Sequence, residues 1–367
     1  MSDSRIGVMF NTNMLKGLAR GRTRHEAIAF YEDAARRHGV TPVFFRIEDV
    51  HLPSMRVLAY VRQHHRYVKQ SMPIPDVIHN RAIFFRTRSL KKVESLVHRG
   101  IQIFNQVNRY GKMTIHDLIS KDAALLPHLP ETLLATKSAV TSMMSRHSSL
   151  ILKPDNSSIG KGLMKLDWTE NGWKACYAVV SRKYGKRWRT QHFHEHTLPP
   201  IVIKRITGTR YLVQETLPLA TYEGRPFDLR VSVQRDHTGQ WQVAGIVGKV
   251  APQHTFVTNV AQGGTVYTFE QIAAAACPHL SYRQMKQHIE EVSLRIAQTL
   301  SDTLPHMADL GLDMGISKEG LPLFIECNGR DQRYSFREAH LIDTWRMTYE
   351  NPMSYGIHLL NSKHPVG

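Results

Sequence analysis

The chain has 367 residues, 42% hydrophobic and 22% charged, the make-up of a globular protein with two or three domains and not of a disordered or fibrous one. Its 48 Lys and Arg outweigh 31 Asp and Glu, a formal charge of +17 that attracts anions: nucleotides, acidic substrates, acidic polymers or nucleic acid. No apolar run is long enough to span a bilayer, no apolar signal core follows Met1, and the scattered Cys176, Cys277 and Cys327 form no C-x-x-C pair, which sets aside membrane insertion, classical secretion, a disulfide framework and a zinc knuckle in favour of reduced thiols in the cytoplasm.

Residues 1–108 read as an α/β unit. Ile6–Phe10 is a strand, and Thr23-Arg24-His25-Glu26 has the spacing of a capping box opening a helix through Ala27, Phe30, Tyr31 and Ala34. Gly39 stops that helix, and Thr41–Phe45 and Val77–Asn80 are the next strands. A helix carries Leu90, Val93, Leu96 and Val97 on one face and stops at Gly100, before a strand Ile101–Asn105. Strands alternating with helices predict a parallel sheet.

Helices dominate to residue 147, with Thr136 as an N-cap before Lys137 and Met143-Met144 as core. Strands follow at Leu150–Lys153, Tyr211–Glu215, Leu229–Gln234 and Val243–Lys249, then an amphipathic helix from Gln284 to Leu304 with Ile289, Val292, Ile296 and Leu300 at helical spacing. The basic run Arg182–Arg189 could contact nucleic acid but reads better as a solvated loop. His192, His194 and His196 would share one face of a strand and could hold a transition metal, yet the stretch is poor in strand formers and reads as solvated, as does His64-His65.

The last pair of strands, Gly311–Ile316 and Leu323–Asn328, is joined by the turn Ser317–Gly320. Alternation puts Glu326 and Asn328 on one face. With a four-residue loop Asp313 faces Phe324; a register shifted by two sets it opposite Glu326, and in both cases it shares the Glu326/Asn328 face. Two carboxylates and an amide oxygen form a hard oxygen site suited to Mg²⁺ that also holds phosphates; the alternative is an exposed polar hairpin.

Lys153 ends a strand before the flexible loop Pro154–Gly162, whose backbone amides and lysines suit phosphates although it is no Walker A loop. Asp228 and Arg230 share a strand face, Lys249 ends the next strand, and Asn259 opens a small loop with Gly263-Gly264. The order Lys153, Lys161, Gln214-Glu215-Thr216-Leu217, Asp228-Leu229-Arg230, Lys249, Asn259, Asp313, Glu326-x-Asn328 resembles the ATP-grasp superfamily over residues 110–345. Gly7-Val8-Met9, Asn105-Gln106-Val107-Asn108, Gly224–Arg230 and Asn351–Tyr355 extend the resemblance to the YheC/YheD group, endospore coat-associated proteins, over nearly the whole chain.

The resemblance implies an α/β protein with an N-terminal Rossmann-like (pre-ATP-grasp) domain at 1–108, a first ATP-grasp lobe with phosphate loop and hinge at 109–220, and a second lobe with the magnesium site at 221–367. It implies that Lys153, Ser158, Gly160 and Lys161 meet ATP phosphates, with Asn259 also on the nucleotide. Gln214, Glu215 and Leu217 hold adenine, and Arg230 and Lys249 serve the γ-phosphate and an acceptor carboxylate. Asp313, Glu326 and Asn328 bind one or two Mg²⁺. Many members have arginine where Lys249 stands; lysine keeps the charge and loses the two-pronged fork. The implied activity is an ATP-dependent carboxylate–amine or carboxylate–thiol ligase acting on unidentified small molecules or peptides, in the cytoplasm and associated with the spore coat. The alternatives are a non-catalytic coat protein keeping the fold, with coat proteins or acidic polymers as partners, and, from charge alone, a nucleic-acid binder.

Overall fold

The computed structural model describes residues 4–363 except 24, 158–159, 182–184, 195–196 and 254. Among them, three sheets form. The first contains Arg5–Met9 at its centre, parallel to Thr41–Phe45 on one side and to Val77–Asn80 on the other, with Gln102–Phe104 parallel beyond. The strand Ile101–Asn105 is thus shorter than its sequence suggests, because Asn105 turns into the left-handed region (φ 55°) to bond elsewhere.

An antiparallel hairpin, Arg56–Gln63 with Arg66–Pro73, extends this sheet and has no counterpart in the sequence reading. Its turn is His64-His65, with His64 at φ 55° where glycine or asparagine would have signalled it. The helix Ile28–Arg37 starts later than the capping-box pattern suggests. Its N-cap, Ala27, makes no side-chain cap, its amide bonds the Tyr349 hydroxyl, and Glu26 turns to Arg81 instead.

The second sheet is antiparallel. In it Ser149–Pro154 lies between Met164–Thr169 and Tyr211–Glu215, with Gly172–Ser181, Gly185–Phe193 and Thr132–Leu134 outside them. Helices Lys137–Met144 and Pro200–Gly208 cover it, burying Met143, Met144, Val202 and Ile206. Thr136 caps the former, accepting from the Ala139 amide at 3.0 Å.

The third sheet places Arg225–Arg235 between Trp241–Val250 and Asp309–Ile316, with Pro322–Asn328 at the edge. Helix Tyr282–Ser301 lays Ile289, Val292, Ile296 and Leu300 against it, as the spacing predicts. Strand Arg225–Arg235 is buried on both faces. Leu229, Val231 and Val233 enter the helix-covered core; Asp228, Arg230 and Gln234 sit at alternate positions, polar yet buried.

The C-terminal helix Ile342–Lys363 contains Pro352 and packs Tyr349 and Met353 into the same core as Ile6 and Val8 of the N-terminal sheet and Tyr31 of helix Ile28–Arg37. Where these parts meet, Asp309 is fully buried. Its carboxylate accepts from Arg333 at 2.6 Å, Arg81 at 3.0 Å and Gln234 at 2.9 Å. Burial would raise its pKa; Arg333, His79 and Arg81 outweigh burial and hold it far below the ordinary carboxylate value. His79, 3.4 Å away, is pushed down to about 4 by burial and is neutral at pH 7. Among the described residues no helix is long and apolar enough to cross a membrane.

Asp309→Ala leaves two buried guanidinium groups underpaired and should destabilise the fold by about 3–5 kcal/mol in urea or thermal unfolding. The depressed folded-state pKa means this carboxylate stabilises fully above the unfolded-state range, near about pH 4–5, and progressively less as pH falls below it. The variant should therefore lose stability less steeply on acidification than the parent, and parallel acid profiles would refute the role.

Candidate active site

A cleft of about 390 Å³ opens between the second and third sheets. Lys153, Gln214, Glu215 and Leu217 line it from one side, and Arg230, Lys249, Asp313, Glu326 and Asn328 from the other. Gly160 and Asn259 reach it from two loops. Of the residues singled out by sequence, Lys161 is exposed and does not line the cleft, and Ser158 lies outside the described residues. Of the histidine trio, His192 lies on strand Gly185–Phe193 and His194 just beyond its end, while His196, like Arg182-Lys183-Tyr184 of the basic run, lies outside the described residues.

Lys153 is held by backbone pairing to Leu212 and is buried. Its ammonium group donates to the Ile325 carbonyl at 3.3 Å and has no carboxylate within salt-bridge reach among the described residues. Burial lowers its pKa to about 8, against the attraction of Glu326. After it the chain turns at Gly162 (φ 80°), where a Cβ would come within 2.7 Å of Pro154 and 2.8 Å of the Tyr211 hydroxyl, so only glycine fits.

The opposite wall follows from strand register. Asp228 is directly across from Lys249, and Arg230 across from Asp313. These opposed charges bond: Lys249 Nζ lies 2.7 Å from Asp228 and 2.9 Å from Asp313, while Arg230 grips Asp313 through Nε (3.0 Å) and Nη2 (3.3 Å) and Asp331 through Nη1 (3.2 Å). Gly311 makes room for this; a Cβ there would lie 2.6 Å from both Arg230 and Asp331. Burial raises the Asp228 carboxyl despite Lys249, whereas Arg230 and Lys249 overcome burial at Asp313 and hold it down.

The hairpin resolves the register question in favour of Asp313 opposite Glu326. It does so through a five-residue loop, closed by Ser317 N to Leu321 O at 2.9 Å, and a bulge between Asp313 and Met314. Bulges re-aim side chains beside functional sites. Two like charges directly opposed across strands are unfavourable without a cation. Glu326 finds Lys112 at 3.2 Å, and Asn328 Nδ2 donates to Asp313 at 3.3 Å, which leaves its carbonyl oxygen as a hard donor. Asp313, Glu326 and Asn328 therefore fit a magnesium ion by donor type and by the opposed carboxylates. Among the described residues no three His, Cys, Asp or Glu side chains cluster as a metal site.

Two contributors escaped the sequence reading. Lys112 opens helix Lys112–Ile119, fixed by Asp155, which accepts from the Met113 amide at 2.9 Å; its ammonium group joins Glu326 to the Ser157 carbonyl. A Gly-Lys pair at a helix start was the available signal. Asp331, buried against Arg230, follows three residues after Asn328. At the other end the Glu215 carboxylate is already engaged, accepting from the Glu131 amide at 2.8 Å and facing His147 at 3.4 Å. Asn259 likewise caps its own loop through Ala261.

A family model described as YheC/D like ATP-grasp matches residues 100–359. The chain belongs to the YheC/D-like ATP-grasp family. It is 21% identical over 300 residues to the endospore coat-associated protein YheD of Bacillus subtilis (strain 168), covering 79% of this chain and 64% of YheD, so it spans less than two thirds of that relative. To YheC of the same organism it is 23% identical over 323 residues, 85% of this chain and 87% of YheC. Among solved structures, the ATP-grasp ligase PsnB complexed with minimal precursor superposes with TM-score 0.53 at 16% identity, covering 94% of this chain and 99% of PsnB. D-alanyl-alanine synthetase A from Vibrio cholerae gives 0.54 at 12% identity, over 98% and 97%. These likenesses establish the ATP-grasp fold that the order of motifs led us to expect.

A phosphate placed against Lys153 would restore its full positive charge and raise its pKa above about 8. Nucleotide binding should therefore take up a proton, with affinity falling as pH rises through 8. Calorimetry of ADP binding at pH 7.0 and 9.0, in buffers of differing ionisation enthalpy, should show this uptake and its loss in Lys153→Met; pH-independent binding would remove Lys153 from the phosphate site.

Proposed function

We propose that this chain is an ATP- and Mg²⁺-dependent ligase that joins a carboxylate to an amine or thiol through an acylphosphate. The observation that carries the reading is the convergence, in one cleft, of the buried lysine, the cross-strand Asp228–Lys249 and Arg230–Asp313 pairs and the opposed Asp313 and Glu326. PsnB, which shares the fold, has been solved with Mg and ADP and a phosphomimetic variant of its minimal precursor (TM-score 0.51, 16% identity).

Adenine would lie along Gln214–Leu217, with the hinge backbone reading its edge, since the Glu215 carboxylate is committed to Glu131 and His147. Lys153 and the loop at Gly160 would meet the phosphates, with Lys161 on the same loop outside the cleft as now arranged. Asp313, Glu326 and Asn328 would hold one or two magnesium ions, whose positive charge would offset the negative charge of the phosphates. The acceptor carboxylate attacks the γ-phosphorus in line; the new O–P bond forms as the bond to ADP breaks. Arg230 and Lys249, held beside that point by Asp313, Asp331 and Asp228, would face the charge that develops there. The amine or thiol then adds to the acyl carbon, phosphate leaves, and the nucleophile's proton passes to solvent. No protein nucleophile is needed; positioning and charge neutralisation suffice.

The names of YheD and YheC favour association with the spore coat. A non-catalytic coat protein is the second reading, motivated by those names. The decisive assay is ATP-dependent phosphate release over a panel of amino acids, peptides and diacids. Arg230→Lys keeps the charge and loses the fork, so it should cut ligation about 10²–10³-fold, the scale for one lost transition-state donor, with ADP affinity little changed. Ligation at the parent rate in that variant would detach Arg230 from the chemistry. No release with any acceptor would favour the coat-protein reading.

Metal dependence gives an independent check. ADP affinity of the parent should rise at least tenfold with Mg²⁺, and Glu326→Ala should abolish that gain while leaving metal-free affinity intact. Equal affinities in all these conditions would sink the metal assignment.

A further inference from the structure

A second cavity of about 480 Å³ lies beside the cleft, and Gln332 and Tyr334 line both. One part of its lining is apolar, from Met14, Ile83 and Phe85. Another is charged, from Glu26, Arg81, Arg330 and Arg333. Most of that charge is committed. Arg81 and Arg333 bond Asp309, and Arg81 also bonds Glu26 Oε1 at 2.7 Å.

Two groups remain. Arg330 donates only Nη1, to the Arg81 carbonyl at 3.1 Å, and among the described residues it meets no carboxylate. Glu26 Oε2 is buried and has no hydrogen-bond partner among the described residues. Leaving such groups unmatched is costly, and each would welcome a complementary ligand atom. A simple anion would satisfy Arg330 and be repelled by Glu26; a simple cation would meet the reverse. A zwitterion satisfies both.

We infer that this cavity anchors an α-amino-acid unit, its ammonium group on Glu26 and its carboxylate on Arg330. The volume falls in the range of about 300–1,000 Å³ typical of small-molecule sites and leaves space for a peptide extension. With both α-groups held, the end free to pass Gln332 and Tyr334 into the cleft is the side chain. On the ligase reading, on which this step rests, the unit reacts through a side-chain carboxylate or amine and not through its α-groups.

Binding is tested on the full chain without ATP, by calorimetry or ligand-observed NMR. The probes are L-glutamate and L-lysine, each with its Nα-acetyl and α-amide derivative. At least one free amino acid should bind, and both of its blocked forms should bind tenfold or more weakly. Arg330→Gln should erase the difference between free acid and α-amide, and Arg330→Lys should retain part of it. The comparison of ligands on the unaltered protein is immune to any folding defect in the variants. No binding by either amino acid, or blocked forms binding as well as free ones, overturns the assignment. Phosphate release separates the two ideas. Arg330-dependent binding with no ATP-driven release removes the ligase reading and keeps the cavity. Release that is indifferent to Arg330→Gln removes the cavity and keeps the ligase.

Discussion

Asp309 is the residue at which the first and third sheets join. It begins the strand that carries Asp313, and it bonds Arg81 from the end of the N-terminal sheet, Arg333 from beyond the final hairpin and Gln234 from the central strand. Its backbone carbonyl accepts from Asn105 at 2.6 Å, and Asn105 also holds the Gly329 carbonyl at 2.7 Å. Arg333 then lies over Tyr349 and donates to Tyr31 at 2.8 Å, locking the C-terminal helix to helix Ile28–Arg37, which packs on the first sheet. A buried carboxylate with two guanidinium partners tolerates little movement, because any displacement strands a charge in low dielectric. The second cavity, lined by Arg81 and Arg333, and the third-sheet wall of the cleft inherit their geometry from this junction.

The strand Arg225–Arg235 connects that junction to the chemistry. Its apolar positions bury Leu229, Val231 and Val233 under the long helix, so its polar positions are forced to the opposite face. Gln234 meets Asp309 at one end of that face; Arg230 and Asp228 enter the cleft at the other. A shift of one residue would exchange the faces and put three charged or amide side chains into the core. The hydrophobic pattern therefore fixes the position of the cationic groups far more strictly than their own ion pairs could.

Much of this was legible because strand periodicity is short and unambiguous. Val77–Asn80 and Tyr211–Glu215 have the bounds their patterns suggest, and alternation alone puts Glu326 and Asn328 on one face of the final hairpin. What was hidden depends on tertiary partners. The bulge that brings Asp313 opposite Glu326 leaves no mark in composition. Thr23 to Glu26 has capping-box spacing, but a buried arginine claims Glu26 and the helix begins without it. Pro352 obscures a helix that its packing against the N-terminal sheet sustains. Lys112 and Asp331 became visible as site residues only when three separate segments met in one cleft.

The charged side chains lining the cleft are Lys112, Lys153, Lys165, Arg230 and Lys249 against Glu215, Asp228, Asp313 and Glu326, with Asp331 bonded to Arg230 beside them. The cleft is close to neutral despite the overall charge of +17, so the protein's field draws anions toward a site that does not itself repel cations. Asp313 stands at the crossing point. It bonds Arg230 and Lys249, and it is also one of the three hard donors. Its oxygens cannot serve cationic side chains and a magnesium ion to the full at once. On the proposed assignment, a metal drawn to Asp313 would loosen the hold on Arg230 and Lys249, the groups that phosphate oxygens would then engage. Metal and polyphosphate would thus favour one another through a single carboxylate, a linkage that works in both directions. Lys153, which has no such carboxylate partner among the described residues, would respond to bound phosphates through its own proton.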